Sequence, residues 1–392
     1  MNKTLYLIGF IMISNVGYSQ FPDSLLKSIE VNNPRIKASL KWLESEKYRS
    51  KTGIYPENPD ITFNYMWGSP DAIGNQQELE ITQKFRFPGY YFARSSMQKM
   101  EFGQSEIMVE KGINYILFKA NNEIFTLIWL TKKELTLTKK LKESSDLLAL
   151  MQQGYERKEF SKPALDKVRI YHLNNQTEMA KLKSEIVVHQ ETLQQLNGGM
   201  PANFILNDYS IPVVLPAFDS LQAKLMGFNP DIRIANLNMD LSGEKVKVEN
   251  MNRLPKIEAG YKGETILNQK LQGIHIGISI PLWENKNKVK QAKLEENWVQ
   301  LNYDQIVSET TSSLKAVYSN AQAVLQNYLN IKEISADPSL SESTFLLLKA
   351  GEISFPEYLT EVQLIIENQL NFLEVERDYF LLLNKITLLT GY

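Results

Sequence analysis

The sequence predicts a mixed α+β membrane protein built from a duplicated unit, each copy combining a strand hairpin with long helices. Three observations carry that expectation. The chain repeats itself along its length, each copy holds two segments of alternating polarity, and no run of residues beyond the N-terminal segment is apolar for long enough to make a membrane helix. The repeat shows first at Asn33-Pro34-Arg35-Ile36 and Asn229-Pro230-Asp231-Ile232, 196 positions apart. At the same offset Pro59-Asp60-Ile61 faces Pro255-Lys256-Ile257, and Tyr65 faces Tyr261. A shortening of three residues then sets the offset to 193. It pairs Pro88 with Pro281, Ser161 with Ser354, Pro163 with Pro356, and Leu196-Asn197-Gly198 with Leu389-Thr390-Gly391. A register held from one end of each half to the other is a tandem duplication. Repeat 1 spans 21–198, repeat 2 spans 223–392, and residues 199–222 link them.

The strands come from period two. In repeat 1, Ile61, Phe63, Tyr65 and Trp67 alternate with Thr62, Asn64 and Met66, which predicts a strand at about 60–68. Leu79, Ile81, Phe85 and Phe87 then alternate with Glu80, Thr82, Lys84 and Arg86, predicting a strand at about 79–88. In repeat 2, Ile257, Ala259 and Tyr261 alternate with Lys256, Glu258, Gly260 and Lys262, at about 255–264. Ile274, Ile276, Ile278 and Ile280 alternate with Gly273, His275, Gly277 and Ser279, at about 272–281. Each segment is close to the roughly 9–11 residues that a tilted membrane strand needs. Trp67, Tyr90, Tyr91 and Trp283 fall at strand ends, where an aromatic girdle would sit. The polar faces carry Glu80, Lys84, Arg86, Lys256, Glu258, Lys262 and His275, which suits a water-filled lumen. Two hairpins of a soluble sheet would alternate in the same way, but the chain offers no further strands to build one. The smallest membrane barrels have about eight strands, so four per chain require a barrel shared between copies.

Helices fill the rest. No proline falls between Gly89 and Pro163, and Ile116, Ala120, Leu127, Leu130, Leu137, Leu141 and Leu148 recur as a coiled-coil seam. This predicts a long helix over about 90–154, roughly 100 Å in extent, followed by a shorter one over about 162–197. Repeat 2 predicts a long helix over about 285–350, kinked at Pro338, and a shorter one over about 355–388. Half-length helices at 24–54 and 224–252 precede the two hairpins. Lys3, the apolar run Leu5–Ile13 and the small residues around Gly17-Tyr18-Ser19 read as a secretory signal at 1–20, so the mature chain is expected to leave the cytoplasm. Without cysteine there is no disulfide framework, thiolate metal site or lipidated cysteine. A net charge of −2 gives no sign of nucleic acid as a partner.

The order of these motifs resembles the TolC family of outer-membrane efflux ducts, over essentially the whole mature chain. The resemblance is carried by the duplicated "NPRI" and "NPDI" starts, the "NPDITFNY" strand, "KFRFPG" at the strand-to-helix junction, and the stretch from "LKAGEISFPEYLTE" to "ITLLTG". It implies a homotrimer with a twelve-stranded outer-membrane β-barrel on a periplasmic α-helical barrel. It also implies a periplasmic adaptor and an inner-membrane pump as partners. "FRFPGYYFAR" and the proline before the last tip look more like the heavy-metal, CzcC/CusC-type branch, although Gly89-Tyr90-Tyr91 departs from the Gly-Lys-Arg usual there.

The same resemblance places a gate at the two helix-tip turns, "YERKEFSKPALDK" and "KAGEISFPEYLTE". Gly351 fits the second turn, and Lys158 takes its place in the first. Counting from Gly351, Glu357 matches the family's first acidic ring position, Thr360 stands where a second acid is often found, and Glu361 follows it. Ala164 is the first-tip equivalent of Glu357, so a single ring is implied. Ser354-Phe355-Pro356-Glu357 also reads as a capping box, and both roles can coexist. His172, His189 and His275 lie in different elements without metal-ligand spacing, and no nucleophile, phosphate loop or paired acid/base motif is present. No enzyme, cofactor or metal centre is expected. A duct for protein secretion (type I) and a periplasmic coiled-coil adaptor or scaffold remain alternative readings.

Overall fold

The computed structural model describes residues 23–70, 73–202, 208–209, 213–335 and 340–391. The signal segment expected at 1–20, Pro338 and parts of the linker lie outside the described residues. Nine helices and four strands are found among the described residues, in the order α1 (Asp23–Asn32), α2 (Pro34–Arg49), β1 (Asp60–Met66), β2 (Gln76–Phe85), α3 (Pro88–Glu156), α4 (Lys162–Leu196), α5 (Phe218–Phe228), α6 (Pro230–Met251), β3 (Lys256–Ile266), β4 (Gln269–Ser279), α7 (Lys288–Ser335), α8 (Leu340–Ala350) and α9 (Phe355–Thr390). Where one long helix was expected over 285–350, α7 and α8 flank 336–339, which lie outside the described residues. The chain divides into two compact units. One is made of residues up to Pro34, 114–218 and 315–388, and the other of 35–113, 219–314 and 389–392.

The repeated Asn-Pro pair marks a helix break in each copy. Proline suits the first turn of α2 and of α6, where its missing N–H is not needed. In the second unit Asn229 caps α6: its side-chain oxygen accepts from the N–H groups of Asp231 and Ile232 at 3.0 and 3.4 Å, and its Nδ2 donates to the Leu389 carbonyl at 3.2 Å. In the first unit Asn33 Nδ2 donates to the Leu196 carbonyl at 2.8 Å. The beginning of each repeat is thus bonded to its own end, at equivalent positions. The glycine that follows each end closes against the same place. Gly198 has φ +68° and Gly391 φ +65°, which favour glycine. A Cβ on Gly198 would meet the Asn32 carbonyl oxygen at 2.5 Å, and one on Gly391 would meet the Phe228 ring at 2.5 Å.

The first unit is a helical bundle. Ile116, Ala120, Leu127, Leu130 and Leu137 of α3 are buried as the coiled-coil seam requires. Leu141 and Leu148 are only half-buried, and Ser144, Leu147 and Met151 take over the seam. An α-helix drifts by ~20° per heptad against a strict seven-residue repeat, so a straight helix passes the seam to neighbouring positions. Around the helix tips Leu147, Met151, Leu165, Val168, Phe345, Tyr358, Val362 and Ile366 form one buried cluster.

The second unit contains the sheet. Its order is β1-β2-β3-β4, antiparallel throughout, with Ile61 opposite Ile81, Ile81 opposite Tyr261, and Tyr261 opposite Ile274. β2, β3 and β4 reach nearer their turns than period two alone indicated, while β1 ends at Met66, short of the expected 68. β4 begins at Gln269, because Leu267 and Asn268, both at positive φ, make a two-residue turn directly after β3. Asn tolerates this conformation, and primed two-residue turns match strand twist; with leucine in place of the usual glycine, the turn is hard to see in sequence.

Asn229→Ala removes the cap of α6 and leaves the Leu389 carbonyl without this donor. We expect a loss of about 2 kcal/mol, seen as a lowered thermal transition. Asn229→Ser keeps a capping oxygen but is too short to reach Leu389, and should recover about half of it.

Candidate functional site

Two regions hold the residues singled out in the sequence. The first is the sheet. One face presents Ile61, Phe63, Ile81, Tyr261, Ile274, Ile276 and Ile278 to the exterior, with Ile274 85% and Ile276 73% exposed. An isolated soluble sheet would bury this face against a second layer. Trp67 and Trp283 are exposed beside it, and Tyr65 and Trp67 meet edge-on at 5.3 Å.

The opposite face is charged and internally paired. Lys84 reaches Asp60 at 3.1 Å, Lys256 reaches Glu284 at 3.3 Å, and Lys262 bonds Glu78. His275 Nε2 lies 3.7 Å from Glu258 Oε1, and Glu80 is close to both. The linear spacing shows no metal-ligand pattern, yet three strands bring these three side chains together. The register does this, because Gly260 faces both Thr82 and His275. Arg86 differs from expectation. β2 ends at Phe85, and Arg86 follows the strand; its guanidinium bonds Asn252 Oδ1 at 3.0 Å and stacks on the Tyr90 ring at 4.5 Å, while its N–H donates to the Tyr91 hydroxyl at 3.1 Å. Pro88 opens α3 and ends the alternation early.

The second region is the pair of helix tips. Each tip turn uses the same pattern of two crossed backbone bonds. Gly351 N–H donates to the Leu348 carbonyl and Glu352 N–H to the Leu347 carbonyl, at 3.1 and 3.0 Å. In the first tip Lys158 N–H donates to the Tyr155 carbonyl and Glu159 N–H to the Gly154 carbonyl, at 3.0 and 2.8 Å. Gly351 has φ +76° and Lys158 φ +61°, so the lysine occupies a position that favours glycine. Beyond the second turn the capping box forms in full. Ser354 N–H donates to Glu357 Oε2 at 2.8 Å, and Glu357 N–H donates to Ser354 Oγ at 3.4 Å. The bond from the Ser354 backbone, with that from its side chain, holds the Glu357 carboxyl below the usual carboxylate range. The Thr360 hydroxyl donates to the Pro356 carbonyl at 3.0 Å, and Glu361 is exposed.

The other two histidines are engaged within the helices. His172 Nδ1 sits 2.9 Å from Ser144 Oγ, and His189 Nδ1 sits 2.6 Å from Glu123 Oε2. One cluster went unread in the sequence. Lys132 bonds both Asp208 and Glu376, at 2.6 and 2.7 Å, and lies over the Tyr209 ring, which stacks on Phe380 at 4.0 Å. Burial raises the Glu376 carboxyl despite Lys132. The linker residues Asp208 and Tyr209 belong to no motif, so only packing reveals their role.

No protein-family model and no curated protein matches the chain. Solved structures do. CusC, whose crystal structures follow folding and transmembrane channel formation, matches with a TM-score of 0.81 at 15% identity, over 98% of this chain and 96% of its own. The Campylobacter jejuni CmeC outer membrane channel matches with a TM-score of 0.74 at 15% identity, over 94% and 86%. The outer membrane protein VceC of Vibrio cholerae matches with a TM-score of 0.77 at 13% identity, over 94% and 95%. The chain has the fold of these outer-membrane channels. That is the fold the resemblance to the TolC family implies. Among the described residues no helix is long and apolar enough to cross a membrane.

If the isoleucine face meets lipid, Ile276→Lys should cost roughly 2–4 kcal/mol per chain near the bilayer midplane. Lys256→Gln, on the opposite face, should leave stability nearly unchanged. Unfolding in urea of protein reconstituted in vesicles separates the two; a costly Lys256→Gln beside a silent Ile276→Lys would invert the faces.

Proposed function

We propose that the chain is one protomer of a homotrimeric outer-membrane exit duct, passively conducting substrate from the periplasm to the outside. Three four-stranded sheets would close a twelve-stranded barrel, and the helices would form the periplasmic tunnel. A periplasmic adaptor and an inner-membrane pump would complete a tripartite efflux system. The observation that carries this reading is the sheet. It has a broadly exposed apolar face, a charged opposite face, and two edge strands, β1 and β4, each unpaired along its outer side among the described residues. Open edges are not tolerated in hydrocarbon, whereas closure with further copies pairs every backbone group. An adaptor built on helical hairpins would have no use for such a sheet. The finer reading, a substrate among heavy-metal cations or small toxic compounds, rests on the "FRFPGYYFAR" junction and the proline before the last tip. Glu80, Lys84, Lys256, Glu258, Lys262 and His275 would line the lumen, with Arg86 at its rim.

The protein should fractionate with outer membranes, resist extraction by carbonate and high salt, and have the mass of three chains in detergent. Recovery as a soluble periplasmic monomer would end the duct reading.

At the tunnel entrance the proposed gate comprises Gly351, Glu357, Thr360 and Glu361. A threefold axis would bring three Glu357 carboxylates together, and such a ring attracts cations. Glu357→Gln should weaken block of single-channel current by divalent and trivalent cations added on the periplasmic side. Trimer assembly should survive, because glutamine still completes the capping box. Ser354→Ala should loosen the helix start by about 1 kcal/mol and keep the block. Unchanged block in Glu357→Gln would leave the carboxylate a cap and nothing more.

A further inference from the structure

We infer that the charged face of the sheet carries a binding site for a divalent transition-metal cation, formed by Glu80 of β2, Glu258 of β3 and His275 of β4. One donor atom from each lies within 4.8 Å of the other two. The pairing explains how side chains so far apart in the chain meet. Glu80 stands opposite Lys262 and Glu258 opposite Lys84, so the two glutamates flank the level of Gly260. They lean toward each other over the gap that Gly260 leaves, and His275 faces the same gap from β4. No side chain could fill it, since a Cβ on Gly260 would meet the Ile81 carbonyl oxygen at 2.3 Å and Thr82 Cγ2 at 2.9 Å. On the far side a Cβ on Gly277 would already touch His275 Nε2 and Glu258 Cβ, both at 3.4 Å.

Each glutamate lies opposite a lysine whose charge it feels, Glu80 across from Lys262 and Glu258 across from Lys84. The direct ion pairs of these lysines go to other carboxylates, Lys84 to Asp60 and Lys262 to Glu78, so no ammonium sits on a proposed ligand oxygen. Among the described residues neither Glu80 nor Glu258 forms an ion pair with a lysine or arginine, and His275 makes no hydrogen bond. The 3.7 Å separation of His275 from Glu258 is too long for one. Ligands held at about 2.0–2.2 Å on a tetrahedral ion stand about 3.4 Å apart, so side-chain rotations of roughly an ångström close the site. Two carboxylates balance a divalent charge. One imidazole nitrogen with two carboxylate oxygens suits Zn²⁺, Co²⁺ or Ni²⁺ better than Mg²⁺ or Ca²⁺, which prefer oxygen alone. All three residues are partly exposed, so water would complete the coordination and the ion would exchange. Placing this ion in the conducting path rests on the lumen reading above; the ligand set itself does not.

The test uses the full chain in detergent, titrated with Co²⁺ and followed by visible absorption. One Co²⁺ per chain is expected, displaced by Zn²⁺. His275→Gln, Glu80→Gln and Glu258→Gln should each weaken binding by more than about tenfold, with His172→Gln and His189→Gln as unchanged controls. Zn²⁺ should also shield His275 of the unaltered protein from diethyl pyrocarbonate, which guards against a variant that fails to assemble. Equal Co²⁺ affinity in the three variants, or no shielding of His275, overturns the site. Single-channel recording then separates the two readings. Zn²⁺ block that disappears in His275→Gln supports a site in the lumen. Co²⁺ binding without any channel current keeps the site and removes the duct, and a normal current without Co²⁺ binding keeps the duct and removes the site.

Discussion

In each repeat the asparagine at its start donates a hydrogen bond to a carbonyl at its end. Asn33 serves Leu196 and Asn229 serves Leu389. Both asparagines are nearly inaccessible, 5% and 3% exposed, so an unmet amide or carbonyl would cost its desolvation outright. The neighbouring features follow from this joint. The helix must break there, which proline ensures, and the terminal glycine must approach to within the reach of a Cβ.

The same duplication allows the two hairpins to diverge. β3 and β4 share a two-residue turn, whereas β1 and β2 are joined by a longer loop. On the charged face Gly260 of repeat 2 stands opposite Thr82 of repeat 1, whereas Gly273 and Gly277 stand opposite Lys262 and Glu258 of their own repeat. Only at Gly260 does the other repeat fill the space that a glycine leaves. On the apolar face the isoleucines of β4 stand out without a covering layer among the described residues. A face built only of apolar groups and a face built of ion pairs demand different solvents.

Period two and the repeat made the four strands and the long helices readable, because both depend on local pattern and on a register kept through 392 residues. What escaped reading depends on non-local geometry. The turn at Leu267-Asn268 hides because leucine at positive φ is rare, and it moved β4 toward its partner. Arg86 continues the alternation in sequence but follows the end of β2, since Pro88 begins a helix and Asn252 and Tyr90 hold the guanidinium. Leu141 and Leu148 fit the heptad on paper, while helix drift gives the seam to Ser144, Leu147 and Met151. The grouping of Glu80, Glu258 and His275 is invisible in any window, because it needs the pairing of three strands. The capping box at Ser354 and Glu357, by contrast, is a four-residue motif and forms as written.

At that tip two electrostatic effects oppose each other. Within one chain the Ser354 N–H stabilises the ionised Glu357 carboxylate and lowers its proton affinity. In the proposed trimer, three such carboxylates near one axis would repel and raise it. The cap is a direct charge-assisted bond at 2.8 Å, while the carboxylates of separate chains would act through water across an open entrance. In the proposed ring the nearer and less screened effect would prevail and favour the ionised carboxylates. A depressed carboxyl contributes its capping stability above its unfolded-state range and loses it as pH falls through the folded-state value. If the proposed ring forms the entrance, acid would remove its cation-attracting charge and the helix cap together, and the ion affinity of the entrance would be coupled to the order of the helix start.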